Sequence, residues 1–158
     1  MYLEDPDPKL VDEVMHMMGV LMREAATAAI EKASDDDLRE ADLIIDEILA
    51  SERDHVRQFE AFRKLGELYV KLADHLVLRL LANSLRTTFM GRMDPRDPVT
   101  HVDPDTIGSP VRRIRKALSQ RNPVELGDAM QALNRLFRES VGNALAGNPG
   151  RLIKRFGR

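Results

Sequence analysis

Apolar residues recur at helical spacing along almost the whole chain. Leu10, Val14, Met17, Met18, Leu21, Met22, Ala25, Ala28 and Ala29 predict a first helix from Pro8 to Ala33, with Asp7 as its cap and residues 1–7 as a tether. A second helix starts at Ser34, where Asp35 to Asp37 set negative charge at the positive end of the helix dipole and Leu38, Ala41, Ile45, Ile48 and Leu49 form the apolar stripe. Phe59, Phe62, Leu65, Leu68, Tyr69 and Leu72 predict a third helix over 52–72. The most apolar stretch follows, Asp74 to Met90, and a thin polar line crosses it. His75, Arg79, Asn83 and Arg86 share one helix stripe, while Leu76, Leu80, Leu81, Leu85, Phe89 and Met90 fill much of the rest. A helix apolar on most sides is expected to be buried, so its charges need a ligand, a partner or a gap to water. The pattern stops between Gly91 and Pro110, a segment with four prolines that reads as a long loop. It resumes over Val111 to Gln120, and a last helix runs from Asn122-Pro123 to Ala146, with Leu126, Met130, Leu133, Leu136, Phe137 and Val141 inward. The tail Arg151 to Arg158 reads as one basic amphipathic turn. The reading is an all-α, antiparallel bundle of six to seven helices in a single domain over 8–158.

Composition narrows the function without choosing it. The chain has 158 residues, 43% of them apolar, enough for a genuine core. With no Trp, few other aromatics and eight Met, Leu, Ala and Met do the packing. A net charge of -2 offers no global attraction to nucleic acid. Cysteine is absent, which excludes disulfides and thiolate metal sites and fits a reducing, cytoplasmic setting. The acidic N-terminus is not a signal peptide, and Arg79 breaks the longest apolar run below the ~20 residues of a membrane span.

Candidate chemistry is sparse. Glu-x-x-His occurs twice, as Glu13/His16 and Glu52/His55, the pair spacing of carboxylate-bridged di-iron bundles. Here the pairs fall on a first and a third helix, and no lone glutamate interrupts an apolar stripe to complete the site. A di-iron bundle enzyme stays the alternative from another class. Ser34, Ser51 and Ser119 sit at helix ends as caps rather than nucleophiles, and no phosphate loop or zinc spacing is present. The run Arg112, Arg113, Arg115, Lys116 is mostly solvated surface, with Arg113 beside the buried stripe. The Met-rich first helix suits either plain core or an adaptable apolar pocket.

Several local motifs resemble the C-terminal effector-binding domain of GntR-type bacterial transcription regulators, the FCD class named after the fatty-acid regulator FadR. Leu21-Met22-x-x-Ala25-Ala26-x-Ala28-Ala29 is similar to the opening helix of that class, and Ser34-Asp35-Asp36-Asp37-Leu38 to its second helix start. Phe62-Arg63 falls where the class commonly has Phe-His, and Arg138-Glu139-Ser140 resembles the His-Glu-Ser of its acyl-CoA-responsive branch. The resemblance implies a cytoplasmic homodimer that binds a small-molecule effector and meets DNA only through a winged helix domain expected ahead of residue 1. Many members hold a metal with one Asp and three His. The matching positions here are Phe59, Arg63, one near Arg113, and Leu133 or Asn134, so no metal or other cofactor is expected. The resemblance instead implies an effector of fatty acid or acyl-CoA type, with Arg79, Asn83, Arg86, Arg113 and Ser140 toward its anionic end, Met18, Met22, Phe59 and Leu80 around its acyl part, and Arg63 as a further ligand-binding candidate. A pure dimerisation module is a further alternative.

Overall fold

The computed structural model describes residues 7–88, 96 and 101–147. Six helices and no strand are found among them: α1 (Pro8–Lys32), α2 (Asp35–Ala50), α3 (His55–Ala73), α4 (Leu76–Thr88), α5 (Pro104–Ser119) and α6 (Pro123–Gly147). The expected turn in the tail, Phe89-Met90 and most of the expected loop lie outside the described residues.

The boundaries follow local chemistry. Asp7 accepts a hydrogen bond from the Lys9 N–H at 3.0 Å and caps α1. At α2 the capping box is reciprocal: the Asp37 N–H donates to Ser34 Oγ, and the Ser34 N–H donates to Asp37 Oδ2 at 2.8 Å. α3 begins at His55 rather than 52, because Glu52 takes a left-handed conformation (φ 41) and Asp54 supplies the cap, accepting from the Arg57 N–H at 3.1 Å. Asp74 is left-handed too, with φ 47 and ψ 44, so residues 55–88 form two helices and not one. α5 starts seven residues before the expected Val111. Asp103 caps it and Pro104 occupies its first turn. Pro110 sits inside the helix, where its missing N–H costs only the bond to the Thr106 carbonyl.

Five of the helices close a ring in the order α1, α3, α2, α5, α6 and back to α1. Side-chain contacts give the directions. Asp12 meets Arg138 across α1 and α6, Glu47 meets Lys64 across α2 and α3, and Arg115 meets Asp42 across α2 and α5. These pairs are antiparallel. α1 and α3 run parallel, since Lys32 Nζ donates to the Ala73 carbonyl at one end and Met22 lies beside Gly66 further back. An odd ring cannot alternate throughout, so one parallel pair is unavoidable.

The ring encloses a core that includes Ile45, Ile48, Tyr69, Val111, Ile114 and Leu126, each fully buried. The small residues Ala25, Ala26 and Ala29 let α1 approach its neighbours closely. At Gly19 the approach is closest: a Cβ there would lie 2.1 Å from Asn134 Nδ2 on α6. A smaller cluster of Val11, Met15, Val141 and Leu145 closes the far ends of α1 and α6. The segment before α5 is fastened twice. The His101 ring stacks on His55 with centroids 3.7 Å apart, and Ser140 Oγ donates to the His101 carbonyl. α4 stays outside the ring, against α1 and α3.

Candidate functional site

The expectation that α4 is buried is overturned. None of its residues is buried; Leu78, Ala82 and Leu85 are half-covered and the rest is open. The spacing explains which side is which. Leu78, Ala82 and Leu85 share the face toward the bundle, so Leu76 and Leu80 point away from it, with Val77 and Leu81 beside them. Leu76 and Leu80 are each 59% exposed. The polar line of Arg79, Asn83 and Arg86 is exposed as well, along the other flank. It needs no cavity because it stands in water. What lacks cover on α4 is the apolar surface.

A second feature lies between α5 and α6. Their buried stripes meet through Ile107, Val111 and Ile114 on one side and Leu126, Ala129 and Leu133 on the other. One step off those stripes, the two helices line an open cleft of about 310 Å³. Thr106, Ser109, Pro110 and Arg113 come from α5, and Ala132, Arg135, Leu136 and Glu139 from α6. Arg113 Nε and its terminal nitrogen both approach Glu125 Oε1 at 3.0 Å, which holds the guanidinium at one end of the cleft. Arg135 and Glu139 stand one turn apart, and neither has an ion pair among the described residues.

The other expected site residues are dispersed. Met18 packs against the small cluster between α1 and α6, whereas Met22 packs against the main core. Phe59 is half-buried on α3. Arg63 is exposed and held within its own helix, 2.8 Å from Glu60 and 2.5 Å from Glu67; the bond to Glu60 is the main cause that keeps its proton more tightly held than usual. Ser140 spends its hydroxyl on the His101 carbonyl. These residues and the α4 line do not meet in one pocket among the described residues. Only Arg113 reaches the cleft.

Neither Glu-x-x-His pair converges with further ligands. His16 Nδ1 lies 3.3 Å from the Arg138 guanidinium, and His55 is stacked on His101. No group of three or more His, Asp and Glu placed to hold a metal occurs among the described residues. No described helix is long and apolar enough to cross a membrane.

Sequence reading missed Arg135 and named Glu139 only within the Arg138-Glu139-Ser140 motif, although their spacing of four, one step off the α6 stripe, marks a shared polar face. Their relevance depends on Thr106 and Ser109 standing opposite, which required α5 to begin before Pro110. Comparison with family models, with curated proteins and with solved structures finds no match to the chain.

Proposed function

We propose that this chain is the effector-binding and dimerisation domain of a transcription regulator of the GntR type, FCD class. In this reading it binds a small anionic metabolite and repositions a fused winged helix domain. The observation that carries the reading is the uncovered apolar face of α4. Soluble domains seldom leave neighbouring large apolar side chains open unless another surface covers them. Leu76, Val77, Leu80 and Leu81 form the apolar centre, and Arg79, Asn83 and Arg86 form a polar rim with no acidic residue on the helix. An apolar centre with a polar, Arg-bearing rim is the usual anatomy of a protein interface.

A second copy is the cover we favour. Full burial of one such side chain is worth roughly 1.5–3 kcal/mol, so covering the exposed halves of four on each of two copies yields roughly 6–12 kcal/mol. Association costs roughly 4–15 kcal/mol. α4 alone therefore supports a marginal dimer. Met17 and Val20, exposed on the α1 helix that α4 packs against, would extend the contact. The effector is better read as small than as a long acyl chain, since Met18 and Met22 are engaged in separate clusters and do not form one wall.

Sedimentation equilibrium tests the reading. The unaltered chain is expected to sediment as a dimer, and Leu80→Glu as a folded monomer. A monomer at every concentration reached would sink it, as would a dimer indifferent to Leu80→Glu and Leu81→Glu together.

A further inference from the structure

We infer that the cleft between α5 and α6 binds a short amino-carboxylate, a zwitterion whose two charges stand about one helical turn apart. The inference rests on the proposed reading that this chain binds a small metabolite, and it names the chemistry of that metabolite.

The direction of the two helices gives the cleft a polarity. Ser140 on α6 is bonded to the His101 carbonyl just ahead of α5, so Glu139 lies level with the first turn of α5. At the other end Arg113 is bonded to Glu125, near the start of α6. Between them stands Arg135. One end of the cleft thus offers an acceptor, Glu139, and the middle and far end offer guanidinium donors.

A second acceptor joins Glu139. Pro110 has no N–H, so the Thr106 carbonyl lacks its ordinary helical donor, and both residues line the cleft. The Thr106 hydroxyl donates to the Asp103 carbonyl at 2.8 Å, so it does not serve as a donor to a ligand. A carboxylate and a backbone carbonyl suit an ammonium group, which carries three donors and no acceptor. Arg135 suits a carboxylate, with Arg113 behind it and already half-neutralised by Glu125.

Spacing sets the ligand. Residues four apart on a helix are separated by about 6 Å along its axis. That matches an ammonium and a carboxylate separated by several bonds better than an α-amino acid. Ala132, Leu136 and the Pro110 ring give the intervening methylenes an apolar floor. A simple dicarboxylate would bring a second negative charge against Glu139, and a fatty acid would leave both acceptors unfilled.

Isothermal titration of the full chain with 5-aminopentanoate, pentanoate and pentylamine tests this. 5-Aminopentanoate is expected to bind saturably, and each of the other two at least about tenfold more weakly, one charged contact being worth that much. Arg135→Ala and Glu139→Gln, both on the surface and checked for native helicity, are expected to lower its affinity by a similar factor. Pentanoate binding as tightly as 5-aminopentanoate would overturn the inference, as would tighter binding of 5-aminopentanoate to Glu139→Gln. A chain that dimerises through α4 but binds none of the probes refutes the cleft assignment alone. A monomer that binds 5-aminopentanoate refutes the regulator reading and keeps the cleft.

Discussion

α4 and α5 are helices of similar length with opposite fates. α5 has 16 residues, a run of Arg and Lys from Arg112 to Lys116, and a narrow stripe of Ile107, Val111, Ile114, Ala117 and Leu118 that is buried throughout. α4 has 13 residues, seven of them apolar, and buries none. The difference is not hydrophobicity. α5 lies in the ring with α2 and α6 on either side, whereas α4 touches the ring only from outside. A helix buries what its neighbours can cover, and an apolar count says nothing about how many neighbours there are.

The largest contrast to test is between core and α4 truncations. Ile114→Ala is expected to cost about 2–5 kcal/mol in urea denaturation, because the closed ring cannot collapse into the void. At concentrations that keep the chain monomeric, Leu80→Ala is expected to cost less than about 0.5 kcal/mol. Equal losses would break the comparison. Tyr69 sharpens it from the core side. Its hydroxyl is fully buried and has no hydrogen-bond partner among the described residues. Tyr69→Phe is therefore expected to raise stability by about 1–3 kcal/mol.

The same burial predicts an alkaline signature. Desolvation pushes the Tyr69 phenol well above its ordinary range, so the folded state keeps it protonated. Stability from this group is full below the ordinary tyrosine value of about 10 and is lost as pH rises beyond it, when only the unfolded chain ionises freely. Tyr69→Phe should lack that part of the alkaline loss, and an identical alkaline profile would count against it.

Ser34→Ala is expected to cost about 1 kcal/mol through loss of the α2 cap. Its partner Asp37 has a depressed carboxyl pKa, chiefly because it accepts from the Ser34 N–H. That contribution is present above the ordinary aspartate value of about 3.9 and fades as pH falls below it. Ser34→Ala keeps that backbone N–H, so most of this acid loss should remain when the stability of the variant is followed by acid titration, and loss of the pH dependence would count against the backbone bond as its chief cause. The smallest effect belongs to Arg79→Leu, which is expected to leave monomer stability within about 0.5 kcal/mol. A large loss there would mean that the α4 flank is engaged with the bundle after all.

Much of the architecture was legible because it rests on local chemistry. Asp7-Pro8, Ser34 with Asp37, and Asn122-Pro123 each state a helix start in a few residues, and the apolar spacing of α2, α3 and α6 matches the core they enter. On α1, by contrast, the expected Met17 is exposed and Val11, Met15, Ala26 and Ile30 are buried instead. The start of α5 was misread because Pro110 looks like a breaker, while the Asp103-Pro104 cap seven residues earlier already satisfied the helix. The site was less legible still. Arg79 and Asn83 stood out as polar groups in an apolar run, and the contrast proved to mark exposure. Arg135 and Glu139 did not stand out, since charges on a polar face are ordinary.

The sequence by itself determined an all-helical chain, the starts of α1, α2 and α6, and the inward faces of α2, α3 and α6, since each depends on residues within a turn or two. Only the tertiary structure decided that five helices close a ring with one parallel pair and that the sixth lies outside it. Whether Leu80 is core or surface, and whether Arg135 faces Thr106, depends on neighbours far along the chain that no local spacing specifies.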